Sequence, residues 1–146
     1  MCTLETARVL AQSGLRPRRT VRFILFTGEE QGLIGSRKYT EAHAAEADSI
    51  QAVIVLDNGT GAVTGQALQG RKDLEGLWRA ILAPLAALHA DSVVDRNKGG
   101  TDHLSFLPYG VPAFNFALVD TSAPVALAPE PVARHAFIRG PCRAAR

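Results

Sequence analysis

Two adjacent glutamates, Glu29 and Glu30, follow an apolar run and a glycine in the stretch "FILFTGEEQG". Carboxylates set side by side raise the cost of ionising each other. A bound cation removes that cost by neutralising one of them, and the other is then free to act on a water. The same pair could instead open a helix, where negative charge suits the dipole and no metal is needed. A third carboxylate, Asp57, closes the run "AVIVLD", although "DNG" is also a turn signal in its own right. Asp102 and His103 lie in the glycine loop "GGTDHLSF", where a lone histidine is more commonly a hydrogen-bonding loop residue than a ligand. The chain contains no HExxH, no GxSxG, no phosphate loop and no GxGxxG, so zincin, serine-hydrolase and nucleotide-binding chemistries have no motif to rest on.

What must position these residues is an alternation of strands and helices. Leu4, Ala7, Leu10 and Ala11 recur at helical spacing and predict a first helix over about residues 3–13, closed at Gly14. "TVRFILFT" is β-branched, aromatic and nearly continuous in its apolar character, as expected of a parallel strand covered on both faces. "LIGSRKYTEAHAAEA" predicts a second helix and "QAVIVLD" a second strand. "LEGLWRAILAPLAALH" is helical in pattern, with Pro84 expected to kink or divide it. "DSVVD" and "VPAFNFALV" complete the strands. The expected fold class is α/β, three layers in α/β/α order around a mainly parallel sheet. Acidic residues then stand at the carboxyl ends of two strands, where open α/β sheets bind their ligands.

Composition narrows the classes of partner. The 146 residues are 47% hydrophobic and 21% charged, the make-up of one packed domain, and 16 Lys+Arg against 14 Asp+Glu leave a net charge of +2. That balance argues for neither a nucleic-acid nor a membrane partner. Arginines cluster at Arg16, Arg18, Arg19 and Arg22 and again at Arg134, Arg139, Arg143 and Arg146, which solvated segments explain as well as binding patches do. Cys2 and Cys142 form no disulfide framework. With no signal-peptide layout, the chain taken as given reads as cytoplasmic, while a longer parent could be secreted. The tail over 120–146 mixes Pro, Ala and Arg without periodicity and is expected to be disordered or loosely packed.

In combination the motifs are more specific than their parts. "LRPRRTVRFILFTGEEQGLIGSRKY" resembles the central motif of the co-catalytic di-zinc aminopeptidases, and "VLDNGTG" and "GGTDHLSFLPYGVPAFNF" are similar to later segments of that family in the same order. The resemblance is strongest to the plasma glutamate carboxypeptidase, or carboxypeptidase Q-like, members. It covers about residues 2–119 and divides the chain into a partial catalytic domain over 1–119 and a divergent tail over 120–146. It implies a peptide substrate and two zinc ions per site, about 3.5–4 Å apart. Glu29 would be the general base, Glu30 would ligate one zinc and Asp57 the other. Asp102 and His103 would order the loop beside the site.

The family's site also draws on a histidine and a metal-bridging aspartate that precede the first helix, and on a second histidine after the last strand. His135 matches by residue type alone. The resemblance therefore implies a zinc-peptidase-like domain truncated at both ends, metal-poor as it stands and open to oligomerisation through an exposed sheet edge. Two other readings remain from the residues themselves: a non-catalytic α/β interaction domain, and a hydrolase that uses its carboxylate pair without metal.

Overall fold

The computed structural model describes residues 2–57 and 61–118. The tail with His135, Cys142 and the second arginine cluster lies outside the described residues, as do Asn58, Gly59 and Thr60 of the "DNGT" loop.

Three helices and four strands frame the structure: α1 (Cys2–Gln12), α2 (Ile34–Ala42), β1 (Val53–Val55), β2 (Val63–Ala67), α3 (Glu75–Leu82), β3 (Ser92–Val94) and β4 (Ala113–Leu118). The strands form one sheet in the order β1-β4-β2-β3. β1 runs parallel to β4 and β2 parallel to β3, whereas β2 meets β4 antiparallel. The fold is thus α/β with a mostly parallel sheet, as the alternation of patterns predicts. α3 stops at Leu82 and a 3-10 helix over Ala83–Leu88 carries Pro84 at its start, which is the division expected from a residue that cannot continue the helical ladder.

β4 separates two cores because successive side chains on a strand face opposite ways. Phe114 joins Leu68, Trp78 and Leu82 beneath α3, with the Trp78 and Phe114 rings edge to face at 5.1 Å. Ala113 turns the other way and joins Phe106 and Val111, against which Phe26, Tyr39 and Val53 pack. α2 and a 3-10 turn over Asp102–Ser105 cover that second face, fastened by a 2.8 Å hydrogen bond between the buried hydroxyls of Ser36 and Ser105. No helix among the described residues is long and apolar enough to cross a membrane.

Two local expectations need correction. The segment "TVRFILFT" forms no strand and pairs with none among the described residues, and it is not buried on both faces: Val21, Phe23 and Leu25 are exposed while Ile24 and Phe26 are half-buried. A ladder requires a neighbour. β1, one of the two edge strands among the described residues, is three residues long and bonds only to β4. α1 forms as predicted yet buries none of its residues, so Leu4 and Val9 stay open to solvent. The strand β2 was not expected, because "VTGQA" lacks an apolar run. Its glycine is required by close packing: a Cβ on Gly65 would stand 1.8 Å from the Ser92 carbonyl oxygen of β3.

Candidate metal centre

The turn that presents Glu29 and Glu30 is fixed by its backbone. Gly32 and Leu33 donate to the Glu29 carbonyl at 2.9 and 2.8 Å, Ile34 donates to Gly28 at 3.0 Å and Gly35 to Thr27 at 2.9 Å, so the chain reverses directly into α2. Gly35 makes this approach feasible, since a Cβ there would lie 2.5 Å from the Thr27 oxygen. Before the turn, Phe26 packs on Tyr39 of α2 and on Phe106, with ring centroids 5.7 and 6.1 Å apart. One aromatic cluster therefore anchors both the glutamate turn and the loop that carries Asp102 and His103.

The sheet brings Asp57 to the same place from the end of β1, and four carboxylates come within reach of one another's fields. The Glu29 carboxyl is raised above its ordinary value by partial desolvation and then by the charges of Glu30, Asp57 and Asp102. Asp57 is raised likewise, by desolvation first and then by Asp102 and Glu30. Glu30 and Asp57 are exposed at the rim, whereas Glu29 and Asp102 are half-buried. Asp102 Oδ1 is one of three buried side-chain oxygens without a hydrogen-bond partner among the described residues, with Gln66 Oε1 and Asn115 Oδ1. Both shifts are upward and owe part of their size to neighbouring carboxylates, as expected where like charges share a site.

His103 is not part of that pool. It is fully buried, with Nδ1 2.6 Å from Thr101 Oγ1 and Nε2 2.8 Å from Gln69 Nε2. Asn115 Nδ2 donates to the same Thr101 oxygen at 2.8 Å. Asp102 thus stands with the acidic residues and His103 behind it. Gln69 and Asn115 were not singled out from the sequence, although a polar residue between the phenylalanines of "FNF" is a visible sign of a buried hydrogen-bonding task.

Residues 1–136 match the pattern that defines Peptidase family M28. The chain belongs to that family. The matched stretch runs past residue 119, to which the resemblance extends. Among relatives of this M28 chain, carboxypeptidase Q of Xenopus laevis is 33% identical and that of Mus musculus 34% identical over 108 residues, which are 74% of this chain and 23% of each relative. The chain therefore spans less than a quarter of the length of those relatives. Among solved structures, the aminopeptidase from Aneurinibacillus sp. strain AM-1 superposes with a TM-score of 0.60 at 30% identity, covering 81% of this chain and 29% of that one. BSAP, a zinc aminopeptidase from Bacillus subtilis, gives 0.64 at 26% identity over 83% of this chain and 30% of its own.

Family membership implies zinc, and the residues present fit it as part of a donor set. A cluster of carboxylates that repel one another, with an unpartnered buried oxygen among them, is what a divalent cation would neutralise. The fit is incomplete: among the described residues no three His, Cys, Asp or Glu side chains are grouped so that they could hold a metal ion.

Proposed function

We propose that this chain carries part of the catalytic centre of a zinc-dependent exopeptidase of aminopeptidase or dipeptidase type, acting on a peptide. The observation that supports this reading most directly is the gathering of Glu29, Glu30, Asp57 and Asp102 at one end of the sheet in an M28 framework. Glu30 and Asp57 are the assigned zinc donors, in a centre of two ions. Zinc bound there would polarise a scissile carbonyl and acidify a water.

Glu29 ligates nothing in this reading. Left off the metal and half-buried beside the assigned donors, its carboxylate is suited to take a proton from the attacking water and return it to the leaving amine. Asp102 and His103 order the loop beside it. With only oxygen donors assigned and no convergent group of three among the described residues, the chain on its own is expected to hold zinc weakly and to be impaired as an enzyme.

The test is metal content by mass spectrometry after zinc loading and dialysis, beside the Glu30→Ala, Asp57→Ala double variant. Substoichiometric zinc that the double variant loses entirely is the expected result. Zinc retention unchanged in the double variant would overturn the assignment of these donors. That no convergent donor group stands among the described residues also favours a second reading, a non-catalytic domain on the same scaffold, which predicts no difference between the two proteins and no zinc-dependent peptide hydrolysis.

A further inference from the structure

Each ring nitrogen of His103 faces a partner whose polarity the surrounding backbone dictates. The Gln69 amide is held one way round: its Oε1 accepts the Lys98 N–H at 2.8 Å and its Nε2 donates to the Lys98 carbonyl at 3.2 Å. Turning it over would set N–H against N–H and oxygen against oxygen. The group 2.8 Å from His103 Nε2 is therefore a donor and pairs with a ring nitrogen that accepts, in competition with the nearby Lys98 carbonyl, which would instead favour a ring N–H. The proton then belongs on Nδ1, where it is donated to Thr101 Oγ1. The other lone pair of the Thr101 oxygen takes the Asn115 amide from β4. Gln69 adopts a left-handed backbone, φ 51°, as it reaches across from the end of β2.

The surroundings of the ring favour a neutral imidazole. Burial lowers its pKa from 6.5, opposed by the Lys98 carbonyl and the Asp102 charge. α2 faces this loop with Ser36 and Thr40 buried and its Arg37, Lys38 and Glu41 exposed, and β1 and β4 contain no charged residue.

We propose that His103 is a positioning residue, clamped by Gln69 as the neutral Nδ1–H tautomer, and that this clamp holds the loop carrying Asp102 against the carboxylates of Glu29 and Asp57. The clamp ties three separate pieces of chain together: the end of β2 through Gln69, the 97–103 loop through Lys98 and Thr101, and the central strand through Asn115. Its bearing on catalysis rests on the zinc-peptidase reading; the tautomer and its ties do not.

Long-range proton–nitrogen correlation spectra of the labelled chain test it. The expected spectrum shows Nδ1 protonated and Nε2 bare at neutral pH, with the ring still neutral as the pH falls through 6.5. An Nε2–H tautomer in the unaltered protein, or titration at or above that value, would overturn the proposal before any variant is made. Gln69→Glu places an acceptor opposite Nε2 while leaving an oxygen for the Lys98 N–H, so it should favour the doubly protonated ring and raise its titration midpoint by about one unit or more. No upward shift would count against the clamp.

Gln69→Met removes the donor with little change in volume. It should speed amide exchange at Lys98 and Leu104 about tenfold or more, and unchanged exchange would show that the loop is held by something else. An Nδ1–H ring in a chain that retains no zinc would keep the clamp and sink the metal assignment. An Nε2–H ring in a zinc-retaining chain would do the reverse.

Discussion

Gly35→Ala puts two opposing terms against each other at the start of α2. Alanine is the better helix former, by about 0.8–1 kcal/mol in an unconstrained helix interior. At this position the added methyl would stand 2.5 Å from the Thr27 oxygen and 2.8 Å from the Thr27 nitrogen, both backbone atoms of the segment that leads into Glu29 and Glu30. Neither can rotate aside as a side chain could. The helix and the segment must separate by close to an ångström, stretching the 2.9 Å hydrogen bond from Gly35 N–H to the Thr27 carbonyl. Overpacking of this kind costs roughly 1–3 kcal/mol and the weakened hydrogen bond about 0.5–1.5 kcal/mol. The clash wins by about 1–3 kcal/mol. In urea, with a slope of about 1–3 kcal/mol/M, the unfolding midpoint should fall by roughly half to one molar or more. A Gly35→Ala chain as stable as the parent, or more so, would show that the approach of α2 to Thr27 does not constrain the turn.

Trp78→Ala removes the largest side chain beneath α3 together with its ring contact to Phe114, and should cost about 3–5 kcal/mol, enough to leave much of the chain unfolded in calorimetry. Glu46, held below its ordinary value by hydrogen bonds first from His43 and then from Arg22, contributes stability present above about pH 4.5 and lost as pH falls through its depressed folded value. Glu46→Gln should therefore lower the thermal midpoint at pH 7, and the deficit should shrink towards pH 3. A deficit that grows on acidification would refute the assignment. Ile54→Lys places a charge beside the edge of β1, where Ile54 is 52% exposed, and should reduce any concentration-dependent association seen by sedimentation.

The elements legible in the sequence were those whose pattern is enforced locally. α1 and α3 have helical spacing, Pro84 divides its segment, and "SVV" and "AFNFAL" carry the β-branched and aromatic residues a strand needs. β2 was illegible because what makes it a strand is its neighbours. Gly65 is there for the closeness of Ser92, and Gln66 is buried because its amide reaches the Asn115 carbonyl at 2.6 Å. The reverse holds for residues 20–27, whose composition promises a strand that finds no ladder partner among the described residues. At the candidate site, Glu29, Glu30 and Asp57 were readable from their places after apolar runs. That Asp102 joins them while His103 turns inward depends on which way a glycine loop folds, and adjacent residues in a sequence carry no sign of it.

β4 pairs with β1 on one side and with β2 on the other, and it is the last described element to be made during synthesis. While the chain grows, β2 can find β3 some thirty residues later, but β1 waits for nearly sixty residues with both edges bare. The sheet cannot close until "AFNFAL" has emerged, and both cores must then condense around that strand at once. Closure of this sheet depends on β4, so a ribosome that stalls within the 101–112 segment would hold β1 and β2 without the strand that joins them.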